Sequence, residues 1–207
     1  MKHFGLVVLG AHFGVWLTNE LEKYKKQNII LVEPVPYNYK ILKEKFLEQE
    51  NIFICTNPIY SKNKTEKFYF VKETSIHKLN KHWASGIGSF NKQHILDHKS
   101  KRFKINEIDI ESLDLNFITF EDLIKKYEIN SIDKLQIDVE GAEYEILNTI
   151  DFDKIHINSI QFESKHFDGT FLEGPKLKII KDKLINNNYK IIDIDEENIL
   201  AEKVISD

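Results

Sequence analysis

The sequence predicts an α/β protein with a mostly parallel sheet, and three observations carry that prediction. Short apolar runs alternate with segments whose apolar residues recur at helical spacing, first over residues 6–55 and again over residues 119–184. Such alternation is typical of parallel strands joined by right-handed crossovers. The chain then ends in two apolar runs, residues 191–194 and 199–205, separated by a polar turn. This ending predicts a C-terminal antiparallel strand pair.

Three strands and two helices are predicted in the first part of the chain. The strands are the apolar runs at residues 6–9, 29–32 and 52–55. Between them, apolar side chains repeat at intervals of three and four, which is the pattern of a helix with one buried face. These side chains are Leu17, Leu21 and Tyr24 in the first helix and Val35, Tyr39, Leu42 and Phe46 in the second.

The same alternation resumes in the second half. Thr119 followed by Asp122 indicates the start of a helix, because a threonine side chain can cap the amide three residues later. The apolar residues behind it repeat at helical spacing. The elements predicted after this helix are a strand at residues 135–139, a helix beginning at residues 141–147, a strand at 157–162 and a helix around 177–184.

The middle of the chain is less regular and is interpreted as an inserted lid segment. Residues 68–71 are predicted to form a short strand, and residues 103–110 a strand leading away from the insertion. Within residues 72–103 the helical pattern is confined to residues 91–98, and His, Trp and Gly residues cluster there. We expect this lid to lie near the ligand and to select the substrate, with Trp83 available to pack on a sugar face.

Composition suits one domain and excludes several classes of function. The chain has 207 residues, 42% hydrophobic and 30% charged, which is enough for a single domain over residues 1–207. A net charge of -4 without a dense basic run argues against nucleic acid as a partner. No apolar run approaches the roughly 20 residues of a membrane span, so no membrane association is expected. The single cysteine, Cys55, cannot form an internal disulfide, and a cytoplasmic location is expected.

A candidate nucleoside site lies at the first strand-to-helix turn. Its glycines permit a sharp turn and the close approach of a ligand. The second strand ends in Glu33, where doubly wound folds place an acid that accepts hydrogen bonds from ribose hydroxyls. His12 stands where the dinucleotide fingerprint has its second glycine, which favours a nucleoside without phosphates, such as S-adenosyl-L-methionine, over a dinucleotide. The cofactor-binding residues predicted at this turn are Gly10, Ala11, His12 and Gly14.

Residues 132–147 resemble the signature of the FkbM family of methyltransferases. The family pattern reads roughly Lys-Ile-Asp-Val-Glu-Gly-Ala-Glu at its fourth strand, and residues 136–143 read Gln-Ile-Asp-Val-Glu-Gly-Ala-Glu. Residues 119–124, Thr-Phe-Glu-Asp-Leu-Ile, resemble the family's helix start Thr-Leu-Asp-Asp-Leu-Ile. Residues 31–34 resemble its second strand, and residues 83–98 resemble an insertion of one subgroup.

This resemblance covers nearly the whole chain. It implies a Rossmann-like class I methyltransferase fold and methyl transfer from S-adenosyl-L-methionine, often to an oxygen atom of a sugar or natural product. We therefore expect an O-methyltransferase whose partner is a small-molecule or glycan acceptor.

Three side chains are predicted to carry the chemistry. Asp138 follows a central strand, where open α/β sheets bind ligands, and is expected to contact the cofactor and to lie nearest the reacting methyl. Glu163 ends the next strand and His166 follows it, so both are second-line catalytic candidates. A histidine is suited to this role because it titrates near neutral pH. Glu140 either points to the same side as Asp138 or caps the next helix.

One alternative is a module that binds S-adenosyl-L-methionine or a nucleotide without catalysis. Val8 and His12 support this alternative, because the family usually has an acid and an asparagine at these two positions. Both positions belong to the predicted cofactor turn. Turnover of the cofactor with mixed glycan acceptors would separate this module from an enzyme.

Another alternative is a methyltransferase assisted by a divalent cation. Asp138 and Glu163 would hold the cation, and the cation would lower the pKa of the acceptor hydroxyl. His94 and His98 share one face of a predicted helix, but two histidines alone do not make a zinc site. The residue pattern therefore assigns no metal ligand.

Overall fold

The computed structural model describes residues 1–79, 82–97, 105–169 and 174–204. None of the helices in these ranges is long and apolar enough to cross a membrane. The described strands and α-helices are, in chain order, β1 (Lys2–Leu9), α1 (Thr18–Tyr24), β2 (Asn28–Val32), α2 (Pro36–Lys45), β3 (Ile52–Cys55), β4 (Lys64–Val71), α3 (Glu73–Leu79), β5 (Gly88–Ser89), α4 (Lys92–Asp97), β6 (Ile110–Phe117), α5 (Phe120–Tyr127), β7 (Ile129–Ile137), α6 (Glu143–Thr149), β8 (His156–Glu163), α7 (Pro175–Asn186), β9 (Tyr189–Asp193) and β10 (Asn198–Lys203).

Seven strands form the main sheet, in the order β3-β2-β1-β7-β8-β10-β9. The five strands from β3 to β8 are parallel, and β10 runs antiparallel to both β8 and β9. The predicted α/β fold with a mostly parallel sheet and a C-terminal antiparallel pair is therefore confirmed. The strand order reverses between β1 and β7, and open α/β sheets bind ligands at such a reversal.

Helices cover both faces of this sheet, and β1 shows how the core is divided. Leu6 and Val8 are buried in a cluster that includes α1 and α2. Val7 and Leu9 are buried on the opposite face, against α5, α6 and α7. Each such side chain contributes about 1.5–3 kcal/mol by leaving water. A central parallel strand is buried on both faces, which is why it reads as an unbroken apolar run.

Two helix starts show how local residues set the element boundaries. α5 begins as predicted, because the Thr119 hydroxyl accepts a hydrogen bond from the Asp122 amide at 3.1 Å. α6 begins two residues later than predicted. Glu140 and Gly141 have φ angles of +57° and +105°, which are left-handed and incompatible with a helix, so α6 starts at Glu143.

A second, three-stranded antiparallel sheet is inserted between β3 and α5, in the order β5-β4-β6. Its strand β4 begins at Lys64, four residues before the strand predicted at residues 68–71. The helix α4 lies inside the predicted helix at residues 91–98, and His98 lies outside the described residues. The regular part of the insertion is thus larger than the sequence pattern indicates.

The strand predicted at residues 103–110 is wrong for residues 105–109 and correct at Ile110, while residues 103 and 104 lie outside the described ranges. A 3-10 turn, Glu107–Asp109, stands there instead, and β6 follows it. The buried Asp109 carboxylate accepts hydrogen bonds from the Asn106 amide and the Ser75 hydroxyl. The apolar residues in this stretch resemble a strand, but the local bond to Asn106 and the bond to Ser75 in α3 hold a turn.

Candidate active site

One residue at the carboxyl end of each of four neighbouring strands lies in a single row. The strand register pairs Leu9 with both Val32 and Ile137, and Ile137 with Phe162. The residue that follows each of these four therefore lies level with the others. These residues, which we call the edge row, are Glu33, Gly10, Asp138 and Glu163.

Gly10 allows the turn after β1 to press against the end of β7. Its φ of +86° lies in the left-handed region. A Cβ atom at Gly10 would lie 1.7 Å from the carbonyl oxygen of Asp138, far inside contact distance. Both the conformation and the contact therefore exclude a side chain here. The Asp138 amide also donates to the Leu9 carbonyl at 2.9 Å, which joins the two strand ends.

His12 connects the turn after β1 to two neighbouring segments. Its φ of +52° is left-handed, which is uncommon for a residue with a side chain. Its amide donates to Glu33 Oε2 at 2.7 Å, and its Nε2 lies 2.5 Å from the Ser85 hydroxyl. His12 thus links the turn to the end of β2 and to the inserted segment.

Ala11 and Gly14 lie in the packing around the turn. Ala11 is buried in the cluster with α1 and α2, and its amide donates to the Val32 carbonyl at 2.9 Å. Gly14 has a φ of +74°, and a Cβ atom there would lie 3.2 Å from Leu42 Cδ2. The structure therefore brings Gly10 and His12 to the cleft described below, while Ala11 and Gly14 shape the turn behind them.

Glu33 is a buried carboxylate surrounded by N–H donors. Oε1 accepts from the Val35 amide at 2.9 Å and from Asn38 Nδ2 at 3.4 Å, while Oε2 accepts from the His12 amide. Burial raises the pKa of Glu33 to about 7, although the three hydrogen bonds act in the opposite direction. The backbone amides of His12 and Val35 hold the Glu33 side chain in place. Its carboxylate oxygens can still accept a hydrogen bond from a ligand hydroxyl.

Two cavities meet at the edge row. One is narrow and mostly apolar, with walls that include Val35, Pro58, Ile59, Tyr60 and Phe90. The other is a polar cleft of about 370 Å³. Besides the whole edge row, the cleft is lined by His12, Trp16, Gly86, Glu140, Lys165 and Glu197. Gly10, Glu33 and Asp138 line both cavities, so an apolar ligand group and a charged one can be bound side by side.

Asp138 is exposed to the open cleft, yet the surrounding protein reduces the water around its carboxyl group. This partial burial and the neighbouring Glu140 raise the pKa of Asp138 to about 6, while Lys165 opposes the rise. The group is therefore mostly ionised at neutral pH, with a proton affinity well above that of an ordinary aspartate. Such a carboxylate is suited to accept a proton.

Glu163 lies in an ion cluster at the far end of the edge row. Its Oε1 contacts the Lys165 ammonium group, which also lies 3.0 Å from Glu197 Oε2. Its Oε2 lies 3.8 Å from His166 Nε2. Burial and Asp138 raise the pKa of Glu163 against the influence of Lys165. The structure brings two of the predicted site residues, Glu163 and His166, close together. Glu163 already contacts the ammonium group of Lys165.

Glu143, not Glu140, holds the start of α6, so the capping alternative for Glu140 is wrong. The buried Glu143 carboxylate accepts from the Val139 amide at 2.8 Å and the Gly141 amide at 2.9 Å. The Glu140 side chain instead reaches α4, where its Oε2 lies 3.4 Å from His94 Nε2. The signature segment therefore supplies a structural acid and an acid facing the insertion.

Two residues of the insertion, Ser85 and Gly86, lie beside the turn after β1. The Ser85 carbonyl accepts from Asn38 Nδ2 at 2.8 Å, and Gly86 lines both cavities. This segment is thus on the same side of the sheet edge as Gly10, as predicted. The side chain of Trp83 lies outside the described part of the structure.

Lys165, Glu197 and Trp16 also face the cleft, and sequence reasoning did not assign them to it. The signal for Lys165 was its place directly after Glu163 at a strand end. Nothing local marks Glu197, because it arrives from the turn between β9 and β10, where its carbonyl accepts from the Ser164 amide at 2.8 Å. Trp16 lies just beyond the cofactor turn, and its side chain is exposed.

The strand order, with antiparallel β10 between β8 and β9, and the acids at the ends of β2 and β7 define a class I methyltransferase fold. Residues 9–191 match the family model described as the methyltransferase FkbM domain. The chain therefore belongs to the FkbM methyltransferase family, and its cofactor is S-adenosyl-L-methionine.

One solved structure of the same family supports the fold. A methyltransferase FkbM from Methylobacillus flagellatus KT is 11% identical, with a TM-score of 0.53 over 97% of this chain and 43% of that one. This chain therefore spans less than half the length of that relative. A Methanococcus jannaschii fibrillarin pre-rRNA processing protein is 12% identical, with a TM-score of 0.45 over 98% of this chain and 67% of that one. A precorrin-6y C5,15-methyltransferase from Geobacter metallireducens GS-15 is 10% identical, with a TM-score of 0.46 over 98% and 82%. No curated protein matches the sequence.

Proposed function

We propose that this protein methylates a hydroxyl group of a small-molecule or glycan acceptor, as one methyltransferase domain over residues 1–207. The observation that carries the proposal is the edge row, in which a buried acid and a cleft-facing acid flank Gly10 at the reversal of the strand order. One acid is placed to hold a nucleoside and the other to act on a reacting group. A cytoplasmic location stays a prediction of the sequence.

The residues present fit S-adenosyl-L-methionine. The apolar cavity suits an adenine ring, and Glu33 at its edge can accept hydrogen bonds from the two ribose hydroxyls. The cleft beyond Gly10 carries five carboxyl groups and one ammonium group among its lining residues. This excess of negative charge favours the cationic methionine half of the cofactor. His12 and Ala11 support the turn that separates the two halves.

Asp138 is assigned as the group nearest the transferred methyl. When bound, S-adenosyl-L-methionine would supply a methyl group on a sulfonium, with a neutral thioether as the leaving group. Asp138 accepts the proton that the acceptor hydroxyl loses, since its carboxyl group is mostly ionised at neutral pH and faces the cleft. Glu163 and His166 act behind it, with Lys165 and His166 holding Glu163 in position.

The acceptor is inferred to be neutral and rich in hydroxyl groups. The acidic lining of the cleft disfavours phosphorylated or carboxylated acceptors by like-charge repulsion. Trp16, with 67% of its surface exposed, lies at the cleft and offers an apolar face on which a sugar ring can stack. Residues 72–103 act as the lid that selects this acceptor.

The test is methyl transfer from labelled S-adenosyl-L-methionine to a panel of glycosides matched in size. Neutral glycosides are expected to accept label, and their phosphorylated or uronic acid counterparts to accept at least tenfold less. Trp16→Ala should raise KM for the neutral acceptor without changing cofactor affinity. Transfer to the anionic members at equal or greater rate would contradict the assigned acceptor class.

The alternative of a module without catalysis is weakened by the position of Val8. Its side chain is fully buried on the α1 and α2 face, so the missing acid removes nothing from the cleft. His12 meanwhile supports Glu33 through its backbone amide, which an asparagine at this left-handed position can also provide. Measurable transfer to any acceptor in the panel would remove this alternative, whereas cofactor binding with no transfer to any hydroxyl would favour it.

A further inference from the structure

Three side chains with nitrogen and oxygen ligand atoms converge beside the cleft from three separate parts of the chain. His94 comes from α4 in the insertion, Glu140 from the turn after β7, and His166 from the turn after β8. One ligand atom from each lies within 4.8 Å of the other two. The two imidazole rings are 5.3 Å apart between centroids and nearly perpendicular.

The geometry is close to that of a bound cation. Zinc binds His nitrogen and carboxylate oxygen at about 2.0–2.2 Å, so two ligands of a tetrahedral ion lie roughly 3.4 Å apart. His94 Nε2 and Glu140 Oε2 already have this separation, at 3.4 Å. The other distances between the ligand atoms are at most 4.8 Å, and a small movement of the side chains would shorten them to roughly 3.4 Å. All three side chains are partly buried, with 17–23% of their surface exposed, which leaves room for a ligand from the cleft.

The carboxylate of this site is Glu140, not Glu163. Glu163 Oε2 lies 3.8 Å from His166 Nε2, which is beyond hydrogen-bond distance, and Glu163 Oε1 contacts the Lys165 ammonium group. Glu140 also lines the cleft, so a cation held by it would face the acceptor.

A second cluster, Asp138 with Glu143 and Glu163, meets the same distance limit but is a weaker candidate. Both oxygens of Glu143 accept hydrogen bonds from backbone amides. Glu163 contacts the Lys165 ammonium group, which would repel a cation. The sequence-based alternative in which Asp138 and Glu163 hold the metal is therefore less favoured than the histidine cluster.

We propose that His94, Glu140 and His166 bind one divalent transition-metal cation of the Zn²⁺ type, which ties the insertion to the loops after β7 and β8. Two imidazoles and one carboxylate favour such an ion over Mg²⁺, which prefers oxygen ligands. Three protein ligands leave coordination positions open. In the proposed methyl transfer, an open position facing the cleft binds the acceptor hydroxyl and lowers its pKa, a role that rests on the proposed function.

The experiment is a titration of the metal-stripped full chain with Co²⁺, followed by absorbance and calorimetry. One Co²⁺ per chain is expected, displaced by Zn²⁺ but not by the same concentration of Mg²⁺. His94→Ala, Glu140→Gln and His166→Ala should each weaken Co²⁺ binding at least tenfold. His77→Ala is the matched control, because His77 is an exposed histidine of the same insertion outside the cluster, and it should bind as the unchanged protein does.

Binding of S-adenosylhomocysteine is measured on the same samples, which also verifies that each variant is folded. The metal site is overturned if Co²⁺ binding is not saturable, or if all three cluster variants bind Co²⁺ as tightly as the unchanged protein does. The proposed function still stands in that case if the nucleoside binds. Equal displacement by Mg²⁺ overturns the assignment to a transition metal. Stoichiometric Co²⁺ binding without S-adenosylhomocysteine binding supports the metal site and overturns the proposed function instead.

Discussion

Glu33 and Asp138 lie in the same row, and both have raised pKa values, yet their surroundings differ. Glu33 is buried and accepts three hydrogen bonds from N–H donors. Asp138 opens onto a cleft shared with Glu140, Glu163 and Lys165. Backbone amides fix the position of Glu33, whereas Asp138 is left to face whatever enters the cleft. In the proposed function, Glu33 therefore binds the nucleoside and Asp138 accepts the proton.

The largest effect is expected from Asp138→Asn, which keeps the shape of the side chain and removes its charge. Turnover on a genuine acceptor should fall by about 10²–10⁴-fold, as is typical for loss of a general base. Affinity for S-adenosylhomocysteine should change far less. Steady-state kinetics and calorimetry measure the two quantities. Asp153→Asn, an exposed acid, is the control, and turnover of Asp138→Asn within threefold of the unchanged protein would show that Asp138 is not the base.

The next largest effect is expected from Gly10→Ala, between the two acids. Its Cβ atom would meet the Asp138 carbonyl at 1.7 Å, in addition to the strain of a φ of +86°. Overpacking costs about 1–3 kcal/mol of unfolding free energy, and the strained backbone about 1 kcal/mol more. Gly141→Ala is a matched control, because its φ is +105° but its Cβ atom would meet nothing within 4 Å. Equal losses for both in urea unfolding would mean that the close approach of β1 and β7 is unimportant.

Glu33→Ala is expected to weaken binding of S-adenosylhomocysteine by about 1.5–3 kcal/mol, which is the range for a hydrogen bond to a charged group. Turnover at saturating cofactor should be nearly unchanged, in contrast to Asp138→Asn. Glu48→Ala, at an exposed position, serves as the control. If calorimetry finds unchanged affinity with the fold intact, the ribose assignment is wrong.

The smallest effect is a dependence of adenosine binding on pH. Glu33 accepts ligand hydroxyls best when ionised, and its pKa of about 7 means that it becomes protonated as the pH falls through neutrality. Affinity should therefore be higher at pH 8 than at pH 6, by up to about tenfold. Adenosine is the suitable probe because it lacks the charged methionine half that faces Asp138. Glu33→Gln should remove the pH dependence of adenosine affinity. If the pH dependence persists in this variant, a group other than Glu33 titrates.

Much of the main sheet could be predicted because its strands are buried on both faces. β2 and the second half of β1 appear in the sequence as continuous apolar runs, and Glu33 and Gly10 follow them directly. β7 carries polar residues at several positions, and Asp138 follows its last apolar residue, Ile137. The inserted sheet was less predictable. β6 has one buried residue at each end and exposed or half-buried residues between, so no continuous apolar run marks it.

The sequence by itself determined the alternation of strands and helices, the position of each acid at a strand end, and the resemblance to one family. These features are local, because burial on both faces of a strand and the turn after it are encoded in neighbouring residues. Only the tertiary structure decided which polar groups meet. His94, Glu140 and His166 lie far apart in the chain, and Lys165 reaches Glu197 from another turn. Such contacts depend on how the insertion and the C-terminal strands pack on the sheet, which no local pattern specifies.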